Sequence, residues 1–372
     1  MHQYESVFTV DDDRLPECHQ LMPPHFFTGI DISDADVFYS LKQMSSSNAC
    51  GPDDIHPSLI RNAKCHFVYP LKLLFSESLK TGQVPDDWKN AIIIPSYKNN
   101  QKPSDPASYR PISLTCVISK LIERIVHKNI VSYLLNNCLI SPNQHGFLKK
   151  RSTTTNMISC LNKWTKLIDE KSSLDVIYLD LQKAFDKVSH KKLLYKLKKL
   201  GFEGKLIEWI KNFLTERKQC VKVENHLSGY SLVESGIPQG TILGPLLFNI
   251  FINGLSSETE NCDLQLYADD SKIYRKVNSE HDKETLQREL DKIHTFLTDW
   301  QLLLNQGKSE VLHVGHGNKS FQYEIAGEEV VSKELSRDLG INVSNDLSFG
   351  KHCSTVARSA YYRIKQFNTG FS

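Results

Sequence analysis

The sequence predicts a mixed fold, α/β or α+β, and three observations carry that expectation. Short strand-like runs alternate with stretches of helical period. At 372 residues, 40% hydrophobic and 24% charged, the chain has globular composition and the length for one large domain or two to three subdomains. No internal repeat and no low-complexity tract interrupts the alternation.

Taken in order, Ala91-Ile92-Ile93-Ile94 before Pro95 reads as a strand. Asp175-Val176-Ile177-Tyr178-Leu179-Asp180-Leu181 reads as another. Helices follow it, because Leu193, Leu194, Leu197, Leu200, Leu206, Ile210 and Leu214 recur at helical spacing among Lys and Arg. Ser235 to Gly240 is a loop in which two glycines frame Ile-Pro-Gln. It leads into an apolar helix that tolerates Pro245 in its first turn. Asp263-Leu264-Gln265-Leu266-Tyr267 alternates, reaches Ala268-Asp269-Asp270 and resumes as Lys272-Ile273-Tyr274, the pattern of a hairpin with two acids at its turn. Leu286, Leu290, Ile293, Leu297 and Trp300 form the stripe of an amphipathic helix packing on that sheet.

Charge excludes little by its sum, since 45 Lys and Arg face 43 Asp and Glu. Its distribution says more. Residues 1–60 hold ten acids against two bases, while Lys187 to Lys218 holds ten Lys or Arg against three Glu. Such a basic helix face is ordinarily just solvated, and becomes a nucleic-acid backbone surface only beside a nucleic-acid site. The longest apolar runs, such as Pro245 to Ile252, fall far short of the roughly 20 residues that span a bilayer. The first 30 residues have neither a basic start nor a hydrophobic signal core. The expected location is therefore intracellular, nuclear or cytoplasmic, without secretion or a membrane partner. Nine scattered cysteines without a Cys-x-x-Cys pair give no sign of a zinc module or a disulfide framework.

The residues that point to chemistry are acids placed where acids are costly. Asp180 ends an otherwise apolar or aromatic run, and Asp269 and Asp270 cap a similar strand. A carboxylate at the edge of a buried sheet loses solvation, and three converging on one point repel one another. A pair of divalent cations resolves that conflict, and such a pair activates a hydroxyl and stabilises a displaced pyrophosphate. An Asp-Asp at a turn is by itself ordinary turn chemistry.

The surrounding motifs decide the matter. Tyr267-Ala268-Asp269-Asp270 resembles the catalytic box of reverse transcriptases. With the stretches from Asp180 to Val188 and from Ser235 to Pro245, Tyr109-Arg110-Pro111-Ile112-Ser113-Leu114 and Gln144-His145-Gly146-Phe147, the chain resembles the non-LTR (LINE-type) retrotransposon enzymes. The likeness runs from about Gly51 to about Phe349, with five motifs in the family's order.

The resemblance implies an α+β right-hand polymerase fold: fingers, a palm built on an antiparallel sheet, and a truncated thumb. Residues 1–75 would form an acidic extension and the start of the fingers, 76–343 the fingers and palm, and 344–372 the beginning of the thumb. It implies RNA-directed DNA polymerisation on an RNA template from a DNA primer, with deoxynucleoside triphosphates as substrates and two Mg²⁺, replaceable by Mn²⁺, as cofactors. Asp180 and Asp269 would ligate both metals, Asp270 would be a weaker or more distant ligand, the carbonyl of Leu181 would complete one coordination sphere, and Lys308 would protonate the leaving pyrophosphate. Gln239 and Gly240 would meet the new base pair. Lys98 and Arg110 would hold the triphosphate, since an Arg fork and a mobile Lys suit phosphate oxygens.

Phe185, five residues after Asp180, would lie under the sugar of the incoming nucleotide and clash with a ribose 2′-hydroxyl. The mixture of Gln144, Gly146, Phe147, Lys149, Lys150, Arg151, Ser152 and Thr153 suits template gripping. Three segments depart from the family pattern: Asn99-Asn100 after Lys98, Gly51-Pro52-Asp53-Asp54 with Asp where relatives have a second Gly, and Arg337-Asp338-Leu339-Gly340 in place of a Tyr-Leu-Gly form. The alternatives are an intron-maturase-like reverse transcriptase, and a truncated, inactive relic that at most binds RNA.

Overall fold

A computed structural model describes residues 6, 8–18, 23–44, 50–98 and 102–369. Helices and sheets are mixed, as an α+β fold requires. The strands run as β1 (Asn90–Tyr97), β2 (Tyr109–Thr115), β3 (Leu174–Leu179), β4 (Lys218–Val223), β5 (His226–Leu227), β6 (Ser231–Leu232) and β7 (Asp263–Tyr267). They continue as β8 (Asp270–Lys276), β9 (Glu310–Val314), β10 (Glu324–Ile325), β11 (Glu328–Glu329), β12 (Val331–Lys333), β13 (Leu335–Asp338) and β14 (Ile341–Ser344). No described helix is long and apolar enough to cross a membrane. The chain divides into two compact units, the first formed by residues 1–141, 183–254 and 299–302, the second by 142–182, 255–298 and 303–372.

In the first unit a sheet ordered β2-β1-β4-β5, with β6 also on β4, is accompanied by helices Lys64–Thr81, Val117–Asn136, His190–Lys199, Gly204–Leu214 and Gly244–Ile252. The strand expected to stop before Pro95 runs on to Tyr97. Pro95 stands opposite Pro111 on β2, while pairing with β4 ends at Ile93. The missing N–H groups therefore cost at most one rung of the ladder. Gly244–Ile252 is apolar on almost every side and buried, with Pro245 in its first turn as expected. Its start is capped from a distance: the fully buried Glu123 accepts the backbone N–H groups of Ile242 at 2.7 Å and Leu243 at 3.2 Å, and the Ser119 hydroxyl at 3.1 Å. Those donors compensate a carboxyl whose pKa burial pushes up.

In the second unit a five-stranded sheet is ordered β12-β9-β3-β8-β7. β3 is central, antiparallel to both β8 and β9, and buried along almost its whole length. Burial on both faces explains why its sequence reads as a continuous apolar run. Helix Thr153–Asp169 packs Met157, Cys160 and Trp164 against Leu174, Val176, Tyr274, Leu312 and Val314. Trp164 meets the Tyr274 ring edge-on at 5.5 Å. Helix Glu280–Asp299 buries Leu286, Leu290, Ile293 and Leu297, as their spacing predicts.

At the start of β3, Asp175 has no solvent exposure, and its carboxylate is fully used. One oxygen takes His313 Nδ1 at 2.8 Å and Asn318 Nδ2 at 2.9 Å, and the other takes the Tyr323 hydroxyl at 2.6 Å. The hairpin β13–β14 and helix Gly350–Thr369 complete the unit.

Candidate active site

The two acids of the hairpin and the one on β3 meet at a single edge of the second unit's sheet. β3 and β8 are in register from Leu174↔Lys276 to Leu179↔Ser271. One step further along that register sets Asp180 across from Asp270. Tyr267 pairs with Asp270, so β7 and β8 are joined by a two-residue turn, Ala268-Asp269. Ala268 holds a positive φ of 55° at the first turn position, where a two-residue hairpin of this hand ordinarily takes glycine.

Asp180 and Asp270 line a pocket of about 130 Å³ with Lys308, Lys272, Asp338 and Tyr178. Lys308 Nζ stands 3.8 Å from Asp180 Oδ2. The backbone of Asp180 is held on both sides, its carbonyl by Asn305 N–H at 2.7 Å and its N–H by Ser309 Oγ at 3.4 Å. Leu181 is buried and bridged to Leu304. Desolvation, then the charges of Asp269, Asp338 and Asp180, push the Asp270 carboxyl up to about 6, with Lys272 opposing them. Such a field calls for a cation.

Among the described residues no group of three or more His, Cys, Asp or Glu is arranged so that it could hold a metal ion. A divalent cation that keeps several waters needs only one or two protein carboxylates, with substrate phosphates completing its shell. The open, acidic edge with Asp180 and Asp270 facing one pocket fits this mode.

Sequence reasoning missed what holds the edge together. Gln144, expected to grip template, is fully buried. Its Oε1 accepts the N–H of Ala268 at 3.0 Å and of Gly146 at 2.7 Å. His145 N–H reaches Leu266 O at 2.9 Å, and Leu266 N–H reaches Asn143 O at 3.0 Å. A Cβ on Gly146 would lie 2.4 Å from Ala268 N, so only glycine fits there. Ser152 caps helix Thr153–Asp169, and Arg151 donates to Pro142 O at 2.8 Å. Of the expected template grip, Phe147, Lys149 and Lys150 remain exposed. The readable signal was the Gln-x-Gly spacing, which brings an amide and a bare backbone to one spot.

Lys272 is the second feature spacing could not show. Buried on β8, it pairs with the buried Asp338 of β13 and lies 5.9 Å from the centroid of the Trp164 ring. Asp338 lies in one of the segments that depart from the family pattern, and its charge is answered by Lys272.

The nucleotide-binding candidates lie in the first unit. Phe185 is stacked on Phe248 at 4.6 Å. Its neighbour Asp186 accepts Gln239 Nε2 at 3.1 Å, and burial raises the Asp186 pKa against the opposing pull of Gln239, Lys183 and Lys98. Ser113 N–H donates to Gln239 O at 2.7 Å. Gly240, at φ 110°, has the Ser113 carbonyl where a Cβ would be, at 2.5 Å. Arg110 is exposed on β2 opposite Ser96. Lys98 donates from its Nζ to Ala107 O at 3.1 Å, and Asn99-Asn100 lie outside the described residues.

The basic stretch from Lys187 to Lys218 is not a uniform solvated face. Lys192 and Lys196 are fully buried. Lys192 pairs with Asp12 at 2.9 Å, and Lys196 donates to Phe251 O at 2.7 Å while lying 4.2 Å from the centroid of the Trp300 ring. Lys191 pairs with Asp13, and Lys205 with Glu208.

Residues 98–341 match the family described as reverse transcriptase (RNA-dependent DNA polymerase). Among curated proteins, the chain is 28% identical over 337 residues to "RNA-directed DNA polymerase from mobile element jockey" of Drosophila melanogaster, covering 88% of this chain and 37% of that protein. It is 26% identical over 344 residues to "Probable RNA-directed DNA polymerase from transposon BS" of the same species, covering 89% and 38%. A third relative, "Probable RNA-directed DNA polymerase from transposon X-element", is 26% identical over 355 residues, covering 92% and 38%. The chain thus spans somewhat over a third of the length of these relatives. With the family match covering well over half of the chain and its acids converging on one sheet edge, this chain belongs to the reverse transcriptase family.

Proposed function

We propose that the chain is the RNA-directed DNA polymerase of a non-LTR retrotransposon, adding deoxynucleotides to a DNA primer 3′ end on an RNA template. The observation that carries this reading is the meeting of Asp180, Asp269 and Asp270 at one edge, where partial desolvation and then the neighbouring carboxylates raise the pKa of Asp270. In this reading the second unit holds the palm, the first holds the fingers, and helix Gly350–Thr369 begins the thumb.

Asp180, Asp269 and Asp270, with the Leu181 carbonyl, would hold Mg²⁺ or Mn²⁺. Bound there, a metal pair would supply activation of the primer hydroxyl and neutralisation of charge on the departing pyrophosphate. Lys308, already drawn to Asp180, offers the proton that pyrophosphate needs on leaving. Arg110 and Lys98 orient the triphosphate, Gln239 and Gly240 contact the new base pair, and the Phe185 ring excludes a 2′-hydroxyl. An enzyme with these substrates works inside the cell, in nucleus or cytoplasm.

The test is incorporation of dTTP on poly(rA)/oligo(dT) with Mg²⁺ or Mn²⁺. Robust synthesis that Asp269→Asn abolishes is expected. Full synthesis by Asp269→Asn overturns the site. RNA binding without any synthesis by the native chain points to the inactive relic.

A further inference from the structure

The acidic segment at the start of the chain makes an unusual set of contacts in the first unit. Thr9 N–H donates to the hydroxyl of the buried Ser235 at 2.7 Å, and that hydroxyl donates onward to the Asp186 carbonyl at 2.9 Å. Thr9 Oγ1 donates to Lys187 O at 3.0 Å, and Val10 O accepts Gln301 Nε2 at 2.9 Å. Asp11 accepts the Ser189 hydroxyl, Asp12 pairs with the buried Lys192 and Asp13 pairs with Lys191. Phe8 lines a small cavity of about 40 Å³ together with Asp186, Ser235 and Gln239.

The same hydroxyl belongs to a close junction of two backbones. Gly236 N–H donates to Val188 O and Ile237 N–H to Phe185 O, both at 2.8 Å. Gly236 sits at φ 85°, and a Cβ there would meet Asp186 O at 2.6 Å. The turn bearing Phe185 and the loop bearing Gln239 are thus zipped together, and Thr9 closes the zip from outside.

We propose that residues Phe8 to Asp13 are a buttress of nucleotide selection: docked by their acids on Lys191 and Lys192, they hold Ser235 and through it the Phe185–Asp186 turn in place. The proposal rests on the reading of Phe185 as the sugar gate. These are positioning residues that touch no substrate. Removing Asp12 takes the carboxylate from the buried Lys192 ammonium, which keeps its bond to Asp299 O, and loosens the segment at that anchor. Replacing Thr9 with proline deletes the N–H that donates to the Ser235 hydroxyl, together with the Thr9 Oγ1 bond to Lys187 O.

The experiment compares native chain, Asp12→Ala, Asp12→Glu, Thr9→Pro and Phe185→Val for kcat and KM with dTTP and UTP on poly(rA)/oligo(dT). Amide hydrogen exchange is followed across residues 185–188 and 235–239 in the same chains. Expected for Asp12→Ala and Thr9→Pro is a rise of about threefold in relative ribonucleotide use, the rate equivalent of one lost hydrogen bond. That rise is carried by KM for dTTP with kcat held within about twofold. Exchange should rise at both segments, and Asp12→Glu should behave as native. If Phe185→Val raises ribonucleotide use while the Asp12 and Thr9 variants change neither selectivity nor exchange, the buttress is wrong and the gate stands. If Phe185→Val leaves selectivity unchanged, the gate reading falls and the proposal falls with it. Should a variant fold poorly, exchange in the native chain decides: segments 185–188 and 235–239 must be protected together with residues 8–13, and independent opening overturns the proposal.

Discussion

The side-chain oxygen of Gln144 accepts the backbone N–H of Ala268 at 3.0 Å, tying a buried amide to the turn that carries Asp269. Because the same oxygen also takes the Gly146 N–H, Gln144→Leu strands two buried donors at a cost of about 1–3 kcal/mol each. We expect kcat to fall at least tenfold with template–primer affinity unchanged. Gln144→Glu, which keeps an acceptor in place, should retain most activity. Steady-state kinetics with a filter-binding control checks both.

Gly146→Ala should be nearly as damaging for a different reason. Its φ is unremarkable, so the penalty is the clash of a new Cβ with the Ala268 backbone, which cannot swing aside as a side chain would. A loss of about 1–3 kcal/mol is expected by chemical denaturation. Gly229→Ala, with nothing within 4 Å, should be silent.

The buried Lys272–Asp338 pair should show strong coupling. Removing either partner leaves an unanswered charge, so Lys272→Met or Asp338→Leu should cost about 3–5 kcal/mol. The double variant Lys272→Met/Asp338→Leu should recover most of that loss. A cycle of thermal melts reads the coupling, and additive single effects would count against the pair.

Asp270 predicts a pH dependence for the metal-free protein. Its folded pKa, pushed up to about 6, exceeds the ordinary aspartate value of 3.8. The folded state therefore binds the extra proton between those values, and this group's contribution to stability falls as pH rises through that window. Above it the penalty is fully present. Asp270→Asn should thus raise stability at pH 7.5 by about 1 kcal/mol, once solvent screening is allowed for, and flatten the melting temperature between pH 4 and 6. The same substitution should abolish nucleotide incorporation.

What the sequence revealed and what it hid differ in the range of the interaction. Hairpin β7–β8, strand β3 and the helices around Leu197 and Leu290 were legible because hydrophobic period is local. The three acids were legible because each interrupts an apolar run. Pro95 misled, since a proline reads as a strand end unless its partner across the sheet is known. The grip of Gln144 on Ala268, of Lys192 on Asp12 and of Lys272 on Asp338 joins residues 124, 180 and 66 positions apart. No spacing rule encodes such pairs. Hence a basic stripe read as solvated or phosphate-binding is in part consumed by the chain's own acids.

The far end of β3 has one more consequence. Asp175, clasped by His313, Asn318 and Tyr323, works as a bolt that stops the central strand from sliding along its axis. A slip of a single residue would carry Asp180 away from Asp270 and invert every side chain behind it. Five residues of strand, roughly 17 Å, separate bolt from blade. An Asp175→Ala lesion would therefore look like a defect of chemistry in any assay, although the broken part lies five residues from the acidic edge.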